Sequence, residues 1–221
     1  MTALLSTTYF GPVQWYQKLY RSEAAIIDAH EPFMKQSFRN RCYIAAANGV
    51  QALTVPIEKA RITRDVRISD HGDWRRVHWN AITSAYGESP FFEYYQDDLR
   101  PFYERRWEFL YDFNEAIRQV VCDLIDIHPS LSGVRGYGGT GVRGHLASHP
   151  ISPSNYSRTP APPHPRTTDY RTTINPKHPA PDTDFEPRPY YQVYASRYGF
   201  QPNLSVLDLL LNMGPEAIFY L

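Results

Sequence analysis

Apolar residues recur along this 221-residue chain with two different spacings, and the spacing changes near residue 73. Before that point the apolar runs are short and rich in β-branched and aromatic residues, which is typical of strands. The clearest runs cover residues 3–10 and 24–28, and residues 66–68 form a weaker one. Between the first two, apolar residues at helical spacing over residues 13–20 predict a short helix.

A β-hairpin is predicted around Asn48-Gly49, which separates apolar residues 42–47 from residues 50–55. Asn-Gly is the preferred pair for the two positive-φ positions of a type I′ turn. The turn would join two adjacent antiparallel strands.

Helical spacing dominates from Asp73 onward. Asp73 is suited to the N-cap of a helix, whose apolar stripe would consist of Trp74, Val77, His78, Ala81, Ile82 and Ala85. A second helix is predicted over residues 95–103, with a break at Pro101. The longest helical pattern covers residues 107–126.

The stretch that follows has a different composition. Between Pro129 and Pro189 lie 12 of the chain's 19 prolines and 6 of its 12 glycines. Residues 130–168 show almost no hydrophobic periodicity, so burial cannot offset the entropy of ordering them. We therefore predict a flexible insert there.

Regular structure is predicted to return near Asp169. Asn203 would cap a C-terminal helix, and residues 217–221 would form a last strand. The predicted fold is α/β or α+β, a single domain over residues 1–221 in which a mixed sheet carries packed helices.

Charge and composition narrow the range of partners. The chain has 23 Lys plus Arg and 23 Asp plus Glu, so it has no overall basic field for nucleic acid. No apolar run reaches the roughly 20 residues that cross a bilayer, and the first residues lack a signal-peptide pattern. With Cys42 and Cys122 as its two cysteines, the chain is expected in the reducing cytoplasm.

One group of cations precedes the hairpin. It comprises Lys35, Arg39, Asn40, Arg41 and the nearby His30. Such residues in a loop between strands suit a phosphate or carboxylate, and the alternative is a set of solvated charges. If the group binds a ligand, replacing Arg39 with alanine should abolish binding and leave the melting temperature almost unchanged.

Three further features bear on catalysis. His78 has a side chain suited to general base catalysis, as has His30, although its place on an apolar stripe also fits a core histidine. Cys42 could act as a nucleophile in a thiol hydrolase, but it stands at a strand start without an activating helix terminus. Asp169-Tyr170-Arg171 would fold over a ligand as a lid or tether the chain.

Two motifs in the insert are set aside. Residues 136–141 match GxGxxG by letter, but no strand precedes them and no helix follows, as dinucleotide binding requires. His145 and His149 have the spacing of helical metal ligands, yet they stand among Gly and Pro without a third ligand, so no metal is expected.

Four blocks of the sequence, in order along the chain, resemble the WbqC-like family. They are residues 6–12 (STTYFGP), 35–42 (KQSFRNRC), 78–95 (HWNAI through PFFEYY) and 199–217 (GFQPNLSVLDLL through GPEA). The resemblance implies transfer of an aminoacyl group such as glycyl onto an amino sugar, in O-antigen or other surface polysaccharide synthesis.

On that reading the site residues have defined roles. His30, His78 and Lys35 would be catalytic, and Arg39, Asn40, Arg41, Tyr94 and Tyr95 would bind the substrates. The partners would be an amino sugar or nucleotide-sugar and an activated acyl donor, which needs no cofactor. The alternatives are a non-catalytic protein that binds a nucleotide-sugar or another phosphorylated metabolite, and a Cys42-dependent hydrolase.

Overall fold

A computed structural model describes residues 1–132, 167–177 and 179–221. Its parallel sheet has the order β2-β1-β5, formed by β1 (Thr2–Ser6), β2 (Ala24–Asp28) and β5 (Thr167–Asp169). Both neighbours of β1 run parallel to it. Helix α1 (Val13–Arg21) makes the crossover from β1 to β2, as parallel neighbours require. The predicted strand-helix-strand order is confirmed here.

The predicted hairpin is confirmed, but its turn is different. Strand β3 (Arg41–Ala46) pairs antiparallel with β4 (Gly49–Thr54). Because Ala46 pairs with Gly49, the turn consists of Ala47 and Asn48. Of these four residues only Gly49 has a positive φ, of 102°. The type I′ prediction was wrong because Gly49 belongs to the strand and not to the turn.

The helices pack with one parallel and one antiparallel sheet, so the protein has the predicted α/β fold. Most helices follow the sequence pattern, including the break at Pro101. The remaining helices are α2 (Trp74–Tyr86), α3 (Phe92–Leu99), α4 (Pro101–Glu104), α5 (Leu110–Ile125), α6 (Ala195–Tyr198) and α7 (Val206–Met213). Helix α2 begins directly after Asp73, whose side chain pairs with Arg76 instead of capping the helix. Val77 is the exception on its predicted apolar stripe, because its side chain is exposed.

The C-terminal predictions need two corrections. Ser205, not Asn203, caps α7, since the Ser205 hydroxyl accepts a hydrogen bond from the Leu207 amide at 3.2 Å. Residues 217–221 do not form a strand, because Gly214–Tyr220 is a 3₁₀ helix that follows α7 directly. Similarly, residues 66–68 make isolated bridges and no strand.

The ends of the predicted insert belong to the sheet. Leu131 bridges Ala25 in parallel at the outer side of β2, and Thr167 and Thr168 lie in β5. The stretch of residues 133–166, which includes both rejected motifs, lies outside the described residues.

The core joins the parallel sheet to the helices. Leu5 of β1, Leu19 of α1, Phe113 of α5 and Leu210 of α7 are all completely buried in one apolar cluster. The loop after β1 contacts both helices, because Tyr9 Oη lies 3.0 Å from His78 Nδ1 of α2 and Thr7 donates to Glu115 of α5 at 3.3 Å.

Candidate functional site

The candidate site lies at the carboxyl end of the parallel sheet, where α/β proteins commonly bind ligands. The three strands end there at Ser6, Asp28 and Asp169. A small cleft, with free space of about 10 Å³, lies beside them and is lined by Ser6, Thr8, Trp15, Phe38, Arg39, Tyr170, Arg171 and Ile174. This space is about what one water molecule requires, so a phosphate or carboxylate group could place only an oxygen in it.

A buried ion pair forms one side of the cleft. The Arg39 guanidinium donates from Nε to Glu31 Oε1 at 2.7 Å and from Nη2 to Glu31 Oε2 and to the Ser6 hydroxyl, the last at 2.9 Å. Ser6 Oγ donates to Glu31 Oε2 at 3.1 Å. Arg39 is 5% exposed and Glu31 is also 5% exposed. The loop after β2 is thereby fastened to the end of β1.

A second guanidinium, that of Arg171, forms the other side. It donates to Asp28 Oδ2 at 2.6 Å and to Asp169 Oδ2 at 2.7 Å, so it joins the ends of β2 and β5. Hydrogen bonds from Arg171 hold the pKa of Asp169 below its usual value. The same hydrogen bonds, which Asp169 accepts, raise the pKa of Arg171 further above its usual value. Arg171 is partly exposed and keeps its charge at any physiological pH.

Next to the cleft, Lys18 of α1 is held by the segment that follows β5. Lys18 Nζ donates to Asp182 Oδ1 at 2.8 Å and lies 4.9 Å from the centre of the Tyr170 ring. Gln14 also donates to Asp182, at 2.7 Å. Hydrogen bonds from Lys18 and Gln14 lower the pKa of Asp182 despite its partial burial, which opposes them. These contacts position Tyr170 as a wall of the cleft.

Two of the predicted site residues, Arg39 and His30, lie at this end of the sheet. The His30 amide donates to Asp28 Oδ1 at 2.8 Å, and its ring Nε2 lies 3.0 Å from Arg64 Nη1. His30 thus shares Asp28 with Arg171, although its exposed ring is absent from the cleft lining.

The other predicted binding residues are dispersed. Asn40 donates to the Val55 carbonyl, and Arg41 donates to Thr54 Oγ1, so both attach the start of β3 to the end of β4. Lys35 is exposed and forms no ion pair with any described residue. Tyr94 is 75% exposed, and its neighbour Tyr95 packs on Phe91; neither tyrosine lines the cleft.

His78 lies in an aromatic cluster beneath the loop after β1. Its Nδ1 is 3.0 Å from the Tyr9 hydroxyl, which in turn lies 2.8 Å from the Tyr103 hydroxyl. Burial lowers the pKa of His78 to about 4, although a hydrogen bond to the Thr54 backbone acts in the opposite direction. The imidazole is therefore neutral at physiological pH and packed as a core side chain.

This burial predicts a pH-dependent stability. The unfolded chain protonates His78 below pH 6.5, whereas the native protein does so only near pH 4, so the stability present above pH 6.5 is lost as pH falls. The loss amounts to about 3 kcal/mol by pH 4. Urea unfolding of the wild type and of His78→Gln at pH 7.5 and 4.5 measures it. An equally steep pH dependence in both proteins would contradict the assignment to His78.

Cys42 is unsuited to nucleophilic chemistry. Its side chain is completely buried in β3, and burial raises the pKa of its thiol well above the usual value. A thiolate nucleophile requires the opposite shift and access to substrate. The geometry therefore argues against the Cys42-dependent hydrolase.

The sequence interpretation missed Glu31 and the hydroxyls of Ser6 and Thr8. The hydroxyls were missed because the first strand was predicted to continue through residue 10, whereas β1 ends at Ser6 and Thr8 lies in the loop after it. Arg171 was noted as part of a lid, and it does line the cleft.

Two absences concern the described residues only. None of their helices combines the length and the apolar character that crossing a bilayer requires. In the same part of the chain, no three His, Cys, Asp or Glu side chains are grouped so that they could hold a metal ion.

The protein has an α/β fold with a small cleft at the carboxyl end of its parallel strands. The chain belongs to the WbqC-like protein family, whose model matches residues 7–144. It is 29% identical over 228 aligned residues to an uncharacterised Mycobacterium tuberculosis protein, Rv1507c, covering 99% of this chain and 96% of that protein. No solved structure matches it significantly.

Proposed function

We propose that the chain binds the phosphate or carboxylate group of a small metabolite in the cleft at the carboxyl end of the sheet. One observation carries the proposal: Arg39 and Arg171, from loops after different strands, line one cleft with the hydroxyls of Ser6 and Thr8. Guanidinium groups bind such oxygens through charge-assisted hydrogen bonds, and the Thr8 hydroxyl adds a neutral donor, since the Ser6 hydroxyl already donates its proton to Glu31. Because the cleft has room for about one water-sized group, an oxygen of the anion would enter it and the rest of the metabolite would lie outside.

For the reaction, we propose acyl transfer to the amine of an amino sugar, with a phosphate-bearing leaving group on the acyl donor. The amine nitrogen would form a bond to the acyl carbon, the bond from that carbon to the leaving oxygen would break, and the amine proton would pass to a base. The family resemblance supports this reaction. Of the two predicted histidines, His30 is the better candidate for the base, because His30 is exposed at the carboxyl end of the sheet.

The second candidate is a non-catalytic protein that binds a phosphorylated metabolite. It is favoured by the lining of the cleft, because the described residues place no carboxylate or imidazole there that could act as a base. In either candidate a ligand anion competes with Glu31 for Arg39 and with Asp28 and Asp169 for Arg171. Under this alternative the protein has no turnover, and His30→Ala leaves ligand binding unchanged. If the protein is the proposed enzyme, His30→Ala abolishes turnover and leaves the affinity for the ligand unchanged.

Replacing Arg171 tests the site itself, because Arg171 is partly exposed and its loss should leave the fold intact. Arg171→Ala is expected to weaken binding of inorganic phosphate at least about tenfold, since a charge-assisted hydrogen bond contributes roughly 1.5–3 kcal/mol. Isothermal titration calorimetry measures the affinity.

Arg188→Ala is the matched control. Its guanidinium donates to the Phe219 carbonyl and does not line the cleft. Phosphate affinity that is the same in Arg171→Ala and in Arg188→Ala would refute the proposed site.

A further inference from the structure

A larger groove, of about 300 Å³, lies where the start of α2 meets α4. Its lining includes three guanidinium groups and three aromatic rings, those of Arg75, Arg76, Arg100, Trp74, Trp79 and Tyr103. None of these residues lines the cleft at the sheet edge. The groove is therefore a separate surface to which neither the sequence analysis nor the proposed function gives a role.

The arginines of the groove can change partners. Arg76 pairs with Asp73, and Arg100 donates to Glu104 at 2.7 Å, but all four of these side chains are more than half exposed. Exposed ion pairs contribute only about 0–1 kcal/mol to stability. The oxygens of an anionic ligand can thus replace these carboxylates at little cost.

Two donors that belong to lining residues have no partner. Trp74 Nε1 and Arg75 Nη2 are buried and donate no hydrogen bond to any described residue. Trp74 is 6% exposed, and the Arg75 guanidinium lies 4.7 Å from the centre of its ring. Buried donors of this kind are nearly always paired. The start of α2, which has no side-chain cap, adds a positive helix end to the same groove.

Of the three aromatic residues that line the groove, Trp79 is the one that is not buried. Its ring is partly exposed, and it is held from within by Tyr103 and Phe92, whose ring centres lie 5.7 and 6.1 Å away. An indole fixed in this way presents a rigid apolar surface. Planar bases and the C–H faces of sugar rings both bind such surfaces.

We propose that this groove is a second ligand site, for a phosphate ester that carries a ring. The ring lies on Trp79, and the phosphate oxygens lie between Arg76 and Arg100. Nucleotides and sugar phosphates share this chemistry. The inference stands on the groove alone and is independent of the function proposed for the cleft.

Calorimetry on the full chain tests the proposal with four probes: uridine monophosphate, glucosamine 1-phosphate, uridine and inorganic pyrophosphate. One of the two ring-bearing phosphates is expected to bind at least about tenfold more tightly than uridine or pyrophosphate. The double variant Arg76→Ala/Arg100→Ala should weaken that binding at least tenfold, and Trp79→Leu should weaken it while Trp79→Phe retains most of it.

Arg67→Ala is the matched control, because Arg67, like Arg76 and Arg100, is exposed and paired with an acid (Glu108), but it lies outside the groove. It should change affinity less than twofold. Tighter binding of uridine monophosphate assigns a nucleotide, and tighter binding of glucosamine 1-phosphate assigns a sugar phosphate.

Three results would overturn the proposal: no probe binds, pyrophosphate binds as tightly as the ring-bearing phosphates, or the double variant binds as the wild type does. Arg171→Ala separates this site from the cleft. If that variant removes the binding of the ring-bearing phosphate and the groove variants do not, the ligand occupies the cleft and the groove is not a site.

Discussion

Replacing Arg39 with alanine is expected to lower the free energy of unfolding by about 3–5 kcal/mol, because it leaves Glu31 as an uncompensated buried charge. Both side chains are 5% exposed, and the Ser6 hydroxyl bonds to each of them. For a chain of this length the loss corresponds to a fall of roughly 6–20 °C in melting temperature. From the sequence alone almost no fall is predicted, because a ligand-binding arginine in a loop would not be part of the core.

Guanidinium chloride unfolding of Arg39→Ala measures the loss, and Arg67→Ala is its control. Arg67 forms a comparable pair with Glu108 in which both side chains are more than half exposed, so its removal should cost at most about 1 kcal/mol. The double variant Glu31→Gln/Arg39→Met should recover part of the stability lost in Arg39→Ala, because no isolated charge remains. Equal stabilities of Arg39→Ala and Arg67→Ala would rule out a structural role for the buried pair.

Replacing Asp208 with alanine is expected to lower the free energy of unfolding by about 3–5 kcal/mol. The Asp208 carboxylate accepts hydrogen bonds from Tyr86 at 2.9 Å, from Tyr190 at 2.7 Å and from Gln192 at 2.6 Å. All four residues are buried, and each donor left without a partner costs roughly 1–3 kcal/mol. The segment that contains Tyr190 and Gln192 would then lose its attachment to α7.

Denaturant unfolding measures this change, and two milder variants locate it. Tyr190→Phe removes one donor together with its bond and should cost only about 1 kcal/mol. Asp208→Asn keeps the shape but offers one carbonyl oxygen to three donors, so its stability should lie between the wild type and Asp208→Ala. A loss in Asp208→Ala no larger than in Tyr190→Phe would mean that the carboxylate does not organise this segment.

Most of the secondary structure could be predicted from the sequence because it depends on residues that are close together along the chain. The helical spacing over residues 13–20, the strand at residues 24–28 and the break at Pro101 all appear in the structure. Predictions failed where a tertiary contact replaced a local rule. Asn203 has the side chain of a cap, but the chain enters α7 through Ser205, whose amide bonds to Tyr43 of β3.

The candidate site was only partly predictable. Arg39 was selected for its charge and does line the cleft, but charge alone could not reveal that Glu31 neutralises it. Lys35 and Arg41, close to Arg39 in sequence, do not belong to the cleft lining formed by the described residues, and Arg41 donates to Thr54 instead. Charged residues that are close together in a loop sequence can therefore place their side chains at different sites.

Sequence alone established the family, the alternation of strands and helices, and the faces that are buried, since all of these follow from local periodicity and motifs. Tertiary structure alone decided which charges meet. Arg171 reaches Asp28 across 143 residues only because β5 pairs with β1 on the side opposite to β2. Strand order depends on the packing of the whole chain, so no short stretch of residues contains it.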